Sequence, residues 1–136
     1  MLAGLAFSNA SLGLVHAMAH SLGGFLDLPH GDCNALLLEH VVEFNFHSVP
    51  ERYARIAEAF GVEVAHLPLT EQKARLVEAI RWFRMEVGIT GGLRDLGMSR
   101  SDLPKLAENA LKDPCIVTNP VQPTVQEIEM LYERAF

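Results

Sequence analysis

Residues 1–26 contain no Asp, Glu, Lys or Arg, and the first Lys or Arg is Arg52. A stretch this long without charge restricts what can surround it. A secretory signal would open with basic residues, and none is present. A membrane helix needs ~20 apolar residues in an unbroken run. Here Ser8, Asn9, Ser11, His16, His20 and Ser21 interrupt the run, and Gly13, Gly23 and Gly24 bound its middle. A helix at the centre of a larger soluble protein fits best, with no membrane partner.

The remaining composition agrees with packed helices. The chain has 136 residues, enough for one domain that buries ~two-thirds of its extended surface. Hydrophobic residues make up 49% and aromatics only 7%, a balance that favours helices over sheets. The net charge of −6 offers nothing to nucleic acid or to an anionic membrane. Cys33 and Cys115 form no disulfide framework, and they suit a reducing, cytoplasmic setting.

Helix signals recur along the chain. Residues 1–7 are apolar on every side and uncapped, like the end of a helix whose beginning is absent. Ser8 to Ser11 is a break that can cap the next helix, which should run to about Ser21 and end at Gly23-Gly24. Residues 25–31 read as a loop, stiffened by Pro29 ahead of His30. A helix over 32–46 follows, then a Ser48–Glu51 capping box and a helix closed by Gly61. Thr70 can cap a long helix to Val87 with Leu76, Val77, Ile80, Phe83 and Val87 on one face. Ser101 opens another helix that Asp113-Pro114 stops, and Thr124 and Glu127 box the last, with Ile128, Leu131, Tyr132 and Ala135 inward. The expected fold is an all-α helical bundle, a single domain over 1–136.

Three histidines lie close together in the uncharged region and just beyond it. His16 and His20 are one helical turn apart on one face. That spacing serves metal sites of the His-Glu-x-x-His kind, although Ala17 stands where that motif has its glutamate. Two core histidines bonded to backbone or carboxylates would look the same. His30, just past the helix, adds a third imidazole and keeps the metal reading open. A second group, His40, Glu43 and His47, also shares a face. Glu39, Glu43 and Glu51 mark that face as solvated, so Glu43 and His47 are expected merely to pair. Cys33 sits at a helix start, where a thiolate is favoured, but it reads more simply as a buried thiol.

Through these residues the chain resembles the C-terminal helical domain of the iron-containing (group III) alcohol dehydrogenases. Ser8-Asn9, Leu12 to Gly23, Leu28-Pro29-His30-Gly31, Asn34 to Leu38 and His40-Val41 carry the likeness. Leu106 to Asp113, Thr118-Asn119-Pro120 and the closing stretch from Ile128 to Ala135 continue it in order. At position 39 many members have Pro, and this chain has Glu39.

The resemblance implies that His16 and His30 are metal ligands. It places His20 beside the metal, facing nicotinamide and substrate, as a catalytic and cofactor-binding residue that is not itself a ligand. The metal would be divalent, Fe2+ before Zn2+. The complete enzyme would oxidise a small alcohol to an aldehyde or ketone with NAD(P), or run the reverse. An Asp and a second His, supplied by an earlier helix, would complete the ligand set, and a nucleotide-binding domain would come earlier still. The isolated chain is therefore expected to be inactive and to self-associate through residues 1–26. A symmetric pair could bring two copies of His16 and His30 to one ion. Ser21, Leu22 and Phe25 are expected to line the substrate pocket. Two alternatives stand beside this one: a non-catalytic helical interaction domain with inert histidines, and a subunit complemented by a separate nucleotide-binding chain.

Overall fold

The computed structural model describes all residues from Met1 to Phe136. Seven α-helices form it: α1 (Leu2–Ala10), α2 (Leu14–Leu26), α3 (His30–Asn45), α4 (Pro50–Ala59), α5 (Leu69–Glu86), α6 (Leu103–Leu111) and α7 (Val125–Arg134). Short 3-10 turns lie between several of them, and there is no strand. The all-α expectation is met.

The uncharged region divides into two helices with opposite fates. In α2, Leu14, Ala17, Met18, Ala19 and Leu22 are buried, and the helix packs against α3, α6 and the 3-10 turn Pro114–Thr118. Each large apolar side chain buried here contributes ~1.5–3 kcal/mol. The helix α1 buries no residue at all. It meets α2 at a 101° bend, and no single helix is long and apolar enough to cross a membrane. The bend is at Ser11, whose φ of 61° is unusual for a residue with a side chain.

Two cores result. The larger unites α2, α3, α6 and α7, with Tyr132 fully buried and its hydroxyl donating to the Met18 carbonyl at 2.7 Å. The smaller joins Val42 and Phe46 to Ala57, Val64, Leu76 and Ile80, seating α4 and α5 on the far side of α3. The last helix follows its expected face closely: Ile128, Leu131, Tyr132 and Ala135 are all buried, and the Thr124–Glu127 capping box is formed. The backbone of Gly92 abuts the chain end, because a Cβ there would fall 2.7 Å from the Ala135 carbonyl oxygen.

Several boundaries differ from expectation. The Ser8–Ser11 region does not cap α2, since α1 continues to Ala10 and the residue before α2 is Gly13. The free amide of Leu14 instead donates to Asn119 Oδ1 at 3.1 Å, from 105 residues away. The α2 helix also runs through Gly23-Gly24 and ends at Asp27, which takes the left-handed conformation. Glycine weakens a helix by only ~1 kcal/mol, and burial of Leu22 between α3 and α6 outweighs that here. The loop after it is correspondingly short, and His30 opens α3 rather than lying in a loop. No side chain caps α4, despite the Ser48–Glu51 pattern. On α5 only Leu76 and Ile80 of the expected face are buried, while Phe83 and Val87 stay exposed. Ser99, rather than Ser101, caps the 3-10 turn leading into α6.

Candidate metal centre

The three imidazoles converge. One turn of α2 separates His16 from His20, with ring centroids 6.1 Å apart. The start of α3 brings His30 to 5.2 Å from His16 and 5.1 Å from His20, nearly parallel to the latter. The short turn at Asp27–Pro29 makes this possible, because it folds α3 back along α2.

Each ring has a different environment. His16 is partly buried, and its pKa is lowered by that burial and by the neighbouring His30 and His20, with Asp113 opposing. It is thereby held toward the neutral form that a metal ligand must have. Asn34 Nδ2 lies 3.0 Å from His30 Nε2, a contact that occupies the lone pair of that nitrogen when it is the unprotonated one. The same Asn34 nitrogen donates to the His30 carbonyl at 2.8 Å, and Asn34 Oδ1 is buried without a partner. His20 is exposed, and its Nδ1 donates to Asp113 Oδ2 at 2.8 Å.

Asp113 was legible in the sequence only as a helix stop. It does end the α6 region, but its carboxylate also reaches the histidine cluster. Burial tends to raise its pKa, and the bonds from the Cys115 amide and from His20 outweigh that and hold it below the usual carboxylate range. Cys115 lies beside it, and ligand atoms of His20, Asp113 and Cys115 all fall within 4.8 Å of one another. Burial and the Asp113 carboxylate raise the Cys115 pKa and keep it a thiol. Nothing in local spacing marks Asp113 as a neighbour of His20, which lies 93 residues away.

The other sequence candidates fall elsewhere. Ser21 is turned inward, its hydroxyl donating to the Leu106 carbonyl, and Leu22 is a core residue. Phe25 is exposed. Cys33 is fully buried, and its pKa is raised first by burial and then by Asp32, as for an inert thiol. In the His40 group the expected Glu43–His47 pair is absent: Glu43 faces Lys73 at 3.8 Å and Arg134 at 3.3 Å. Glu39 is not on a solvated face either. It is 3% exposed, with Arg81 at 3.1 Å, His40 at 3.6 Å and Arg84 at 3.7 Å. Next to His16 an apolar groove of about 450 Å³ runs between Leu14, Leu38, Val41 and Ile56, with Asn45 and Asn119 in its wall.

Fold and site together define an all-helical domain that gathers three imidazoles and a carboxylate beside an apolar groove. Comparison with known proteins makes that class specific. Residues 1–136 match the Fe-containing alcohol dehydrogenase family, C-terminal, and the chain belongs to that family as its C-terminal helical domain. It is 46% identical over 136 residues to a 1,3-propanediol dehydrogenase of Klebsiella pneumoniae and 45% identical over 134 residues to a lactaldehyde reductase of Escherichia coli. It covers 100% and 98% of itself in these matches but only 35% of each relative. The chain thus spans about a third of the length of these curated relatives. Among solved structures it superposes on a 1,3-propanediol oxidoreductase with a TM-score of 0.95 at 46% identity, covering 99% of this chain and 35% of the other. An alcohol dehydrogenase from Oenococcus oeni gives the same TM-score at 41% identity, over 100% of this chain and 36% of that one.

Proposed function

We propose that this chain is the metal-binding part of an NAD(P)-dependent dehydrogenase acting on small alcohols and aldehydes. The observation that carries the reading is the convergence of His16, His20 and His30 on one face of the fold. The donor set suits a divalent metal, Fe2+ or Zn2+. His16 is held toward neutrality, and His30 would exchange the Asn34 hydrogen bond at Nε2 for the ion. His16 and His30 would hold the ion. Bound there, a divalent metal supplies Lewis acidity that favours the alkoxide form of an alcohol.

The protein's own residues do the rest. His20 and His30 are both exposed and His16 is half-buried; family resemblance, with the Asp113 contact beside it, favours His20 as the ring that meets substrate and nicotinamide. It would orient the alcohol and accept its proton. Asn34 Nδ2 ties back to the His30 carbonyl at the start of α3, and the Asn119 bond to the Leu14 amide fixes the start of the helix bearing His16. Two neutral imidazoles alone bind far more weakly than the ~10–16 kcal/mol of a complete four-ligand zinc site. The remaining ligands and the nucleotide-binding part would come from residues outside this chain, in a soluble cytoplasmic enzyme. The isolated chain would then be inactive, with the exposed apolar side chains of α1 (Leu2, Leu5 and Phe7) favouring self-association.

NAD(P)-linked oxidation of a panel of short primary alcohols tests the reading. The complete protein carrying this domain should turn over, and the 136-residue chain should not. Turnover by the chain alone, or none by the metal-loaded complete protein, would overturn it.

A further inference from the structure

We propose that Asp113 is a positioning residue that fixes the tautomer and orientation of His20. The proposal rests on the reading of His20 as the ring that meets substrate. It starts from a bond no local pattern announces: His20 Nδ1 to Asp113 Oδ2, 2.8 Å, between α2 and the segment after α6.

Both carboxylate oxygens are committed. Oδ1 accepts the backbone amide of Cys115 at 2.8 Å, so Asp113 caps the 3-10 turn Pro114–Thr118. Pro114, next in the chain, has a ring-fixed φ and stiffens that cap. Oδ2 is then left pointing at His20 by a side chain that is only 16% exposed. A carboxylate is an acceptor only, so the nitrogen facing it carries the proton. His20 therefore holds its proton on Nδ1 and presents a bare Nε2 away from Asp113. A free histidine side chain prefers the opposite tautomer, with the proton on Nε2. A proton acceptor for an alcohol needs the bare nitrogen on the substrate side, and the Asp113 bond supplies that state before substrate arrives. The same bond limits rotation of a ring that is otherwise 41% exposed.

The arrangement admits one competing role. His20, Asp113 and Cys115 place their ligand atoms within 4.8 Å of one another, so Asp113 could instead be a metal ligand. The two roles predict opposite results for Asp113→Asn. An Asn can keep the cap, with its oxygen accepting the Cys115 amide, while its NH2 replaces the acceptor facing His20. The orienter role then requires the His20 proton to move to Nε2 with metal content unchanged. The ligand role requires metal loss.

The experiment is 15N-histidine NMR of the metal-free chain above the imidazole titration range, with long-range correlations to assign each ring nitrogen. Wild type should show His20 protonated at Nδ1, and Asp113→Asn should show it protonated at Nε2. Asp113→Ala should drift to the same Nε2–H form, and provides the comparison if the Asn variant does not fold. The complete dehydrogenase carrying Asp113→Asn should keep its metal and its KM while kcat falls by about 10²–10⁴-fold. A wild-type His20 already protonated at Nε2 would overturn the proposal, and that spectrum needs no variant to fold. So would an unchanged tautomer in a folded variant, or loss of metal from Asp113→Asn. Metal content of His16→Ala and His30→Ala, measured alongside, reports separately on the metal reading.

Discussion

Replacing Asn119 by Ala should be among the most damaging single changes in this domain. Asn119 is 6% exposed, and its amide makes four hydrogen bonds. Its oxygen accepts from the Leu14 amide at 3.1 Å and from Asn45 Nδ2 at 2.9 Å. Its nitrogen donates to Asn45 Oδ1 at 2.8 Å and to the Val121 carbonyl at 2.7 Å. Asn45 is itself buried, so truncation strands both polar ends of a second amide as well as the first N–H of α2. A buried group left without a partner costs ~1–3 kcal/mol. Water can enter from the adjacent groove and satisfy some of these groups, so we expect a loss of about 3–5 kcal/mol in total. That is a large part of the ~5–15 kcal/mol that stabilises an ordinary domain. Urea denaturation of the chain gives the value directly, read from the midpoint at constant m. Combining Asn119→Ala with Asn45→Ala should cost clearly less than the sum of the two single changes, because the pair strands itself only once. A loss below ~1 kcal/mol, or strict additivity, would refute the idea that this amide pair locks α2 to the rest of the fold.

Other expectations follow from the same contacts. Glu39→Gln should lower stability by about 1–3 kcal/mol, since Arg84 would lose its buried carboxylate while Arg81, half in solvent, would be screened; thermal melting checks this. Leu5→Lys with Phe7→Lys should leave stability unchanged, because α1 buries nothing, and should lower the mass seen by light scattering if α1 drives association. The Glu127 carboxyl is held below its ordinary pKa by the Thr124 backbone and side-chain hydrogen bonds. Its stabilising effect is thus present above the normal carboxylate range and is lost as pH falls through the lowered value. Glu127→Gln should flatten that acid limb of the stability–pH profile, and an unchanged limb would exclude the capping box as its source.

The helices were legible because apolar side chains recur at helical spacing, most clearly in α6 and α7. Their ends were less so, since the forces that set them are not local. Gly23-Gly24 looks like a terminus until Leu22 is seen buried between α3 and α6. The cap of α2 comes from Asn119, and no window of sequence contains both. Glu39 misled for a related reason. Acidic residues usually face water, but Arg81 and Arg84, one turn apart on α5, cover this one. At the site, the shared face of His16 and His20 follows from their spacing, and the approach of His30 was an open possibility. The division of roles among the three came from family resemblance. Asp113 was invisible as a partner of His20, because only the packing of the segment after α6 against α2 brings them together.

The central claim is that His16 and His30 hold the metal while His20 serves the reaction. Elemental analysis of the complete dehydrogenase carrying His16→Ala, His30→Ala or His20→Ala, each loaded and desalted identically, tests it most directly. Stoichiometric metal should disappear from the first two and remain in the third, whose turnover should nevertheless collapse. Retention of metal in all three, or its loss from His20→Ala alone, would contradict the account.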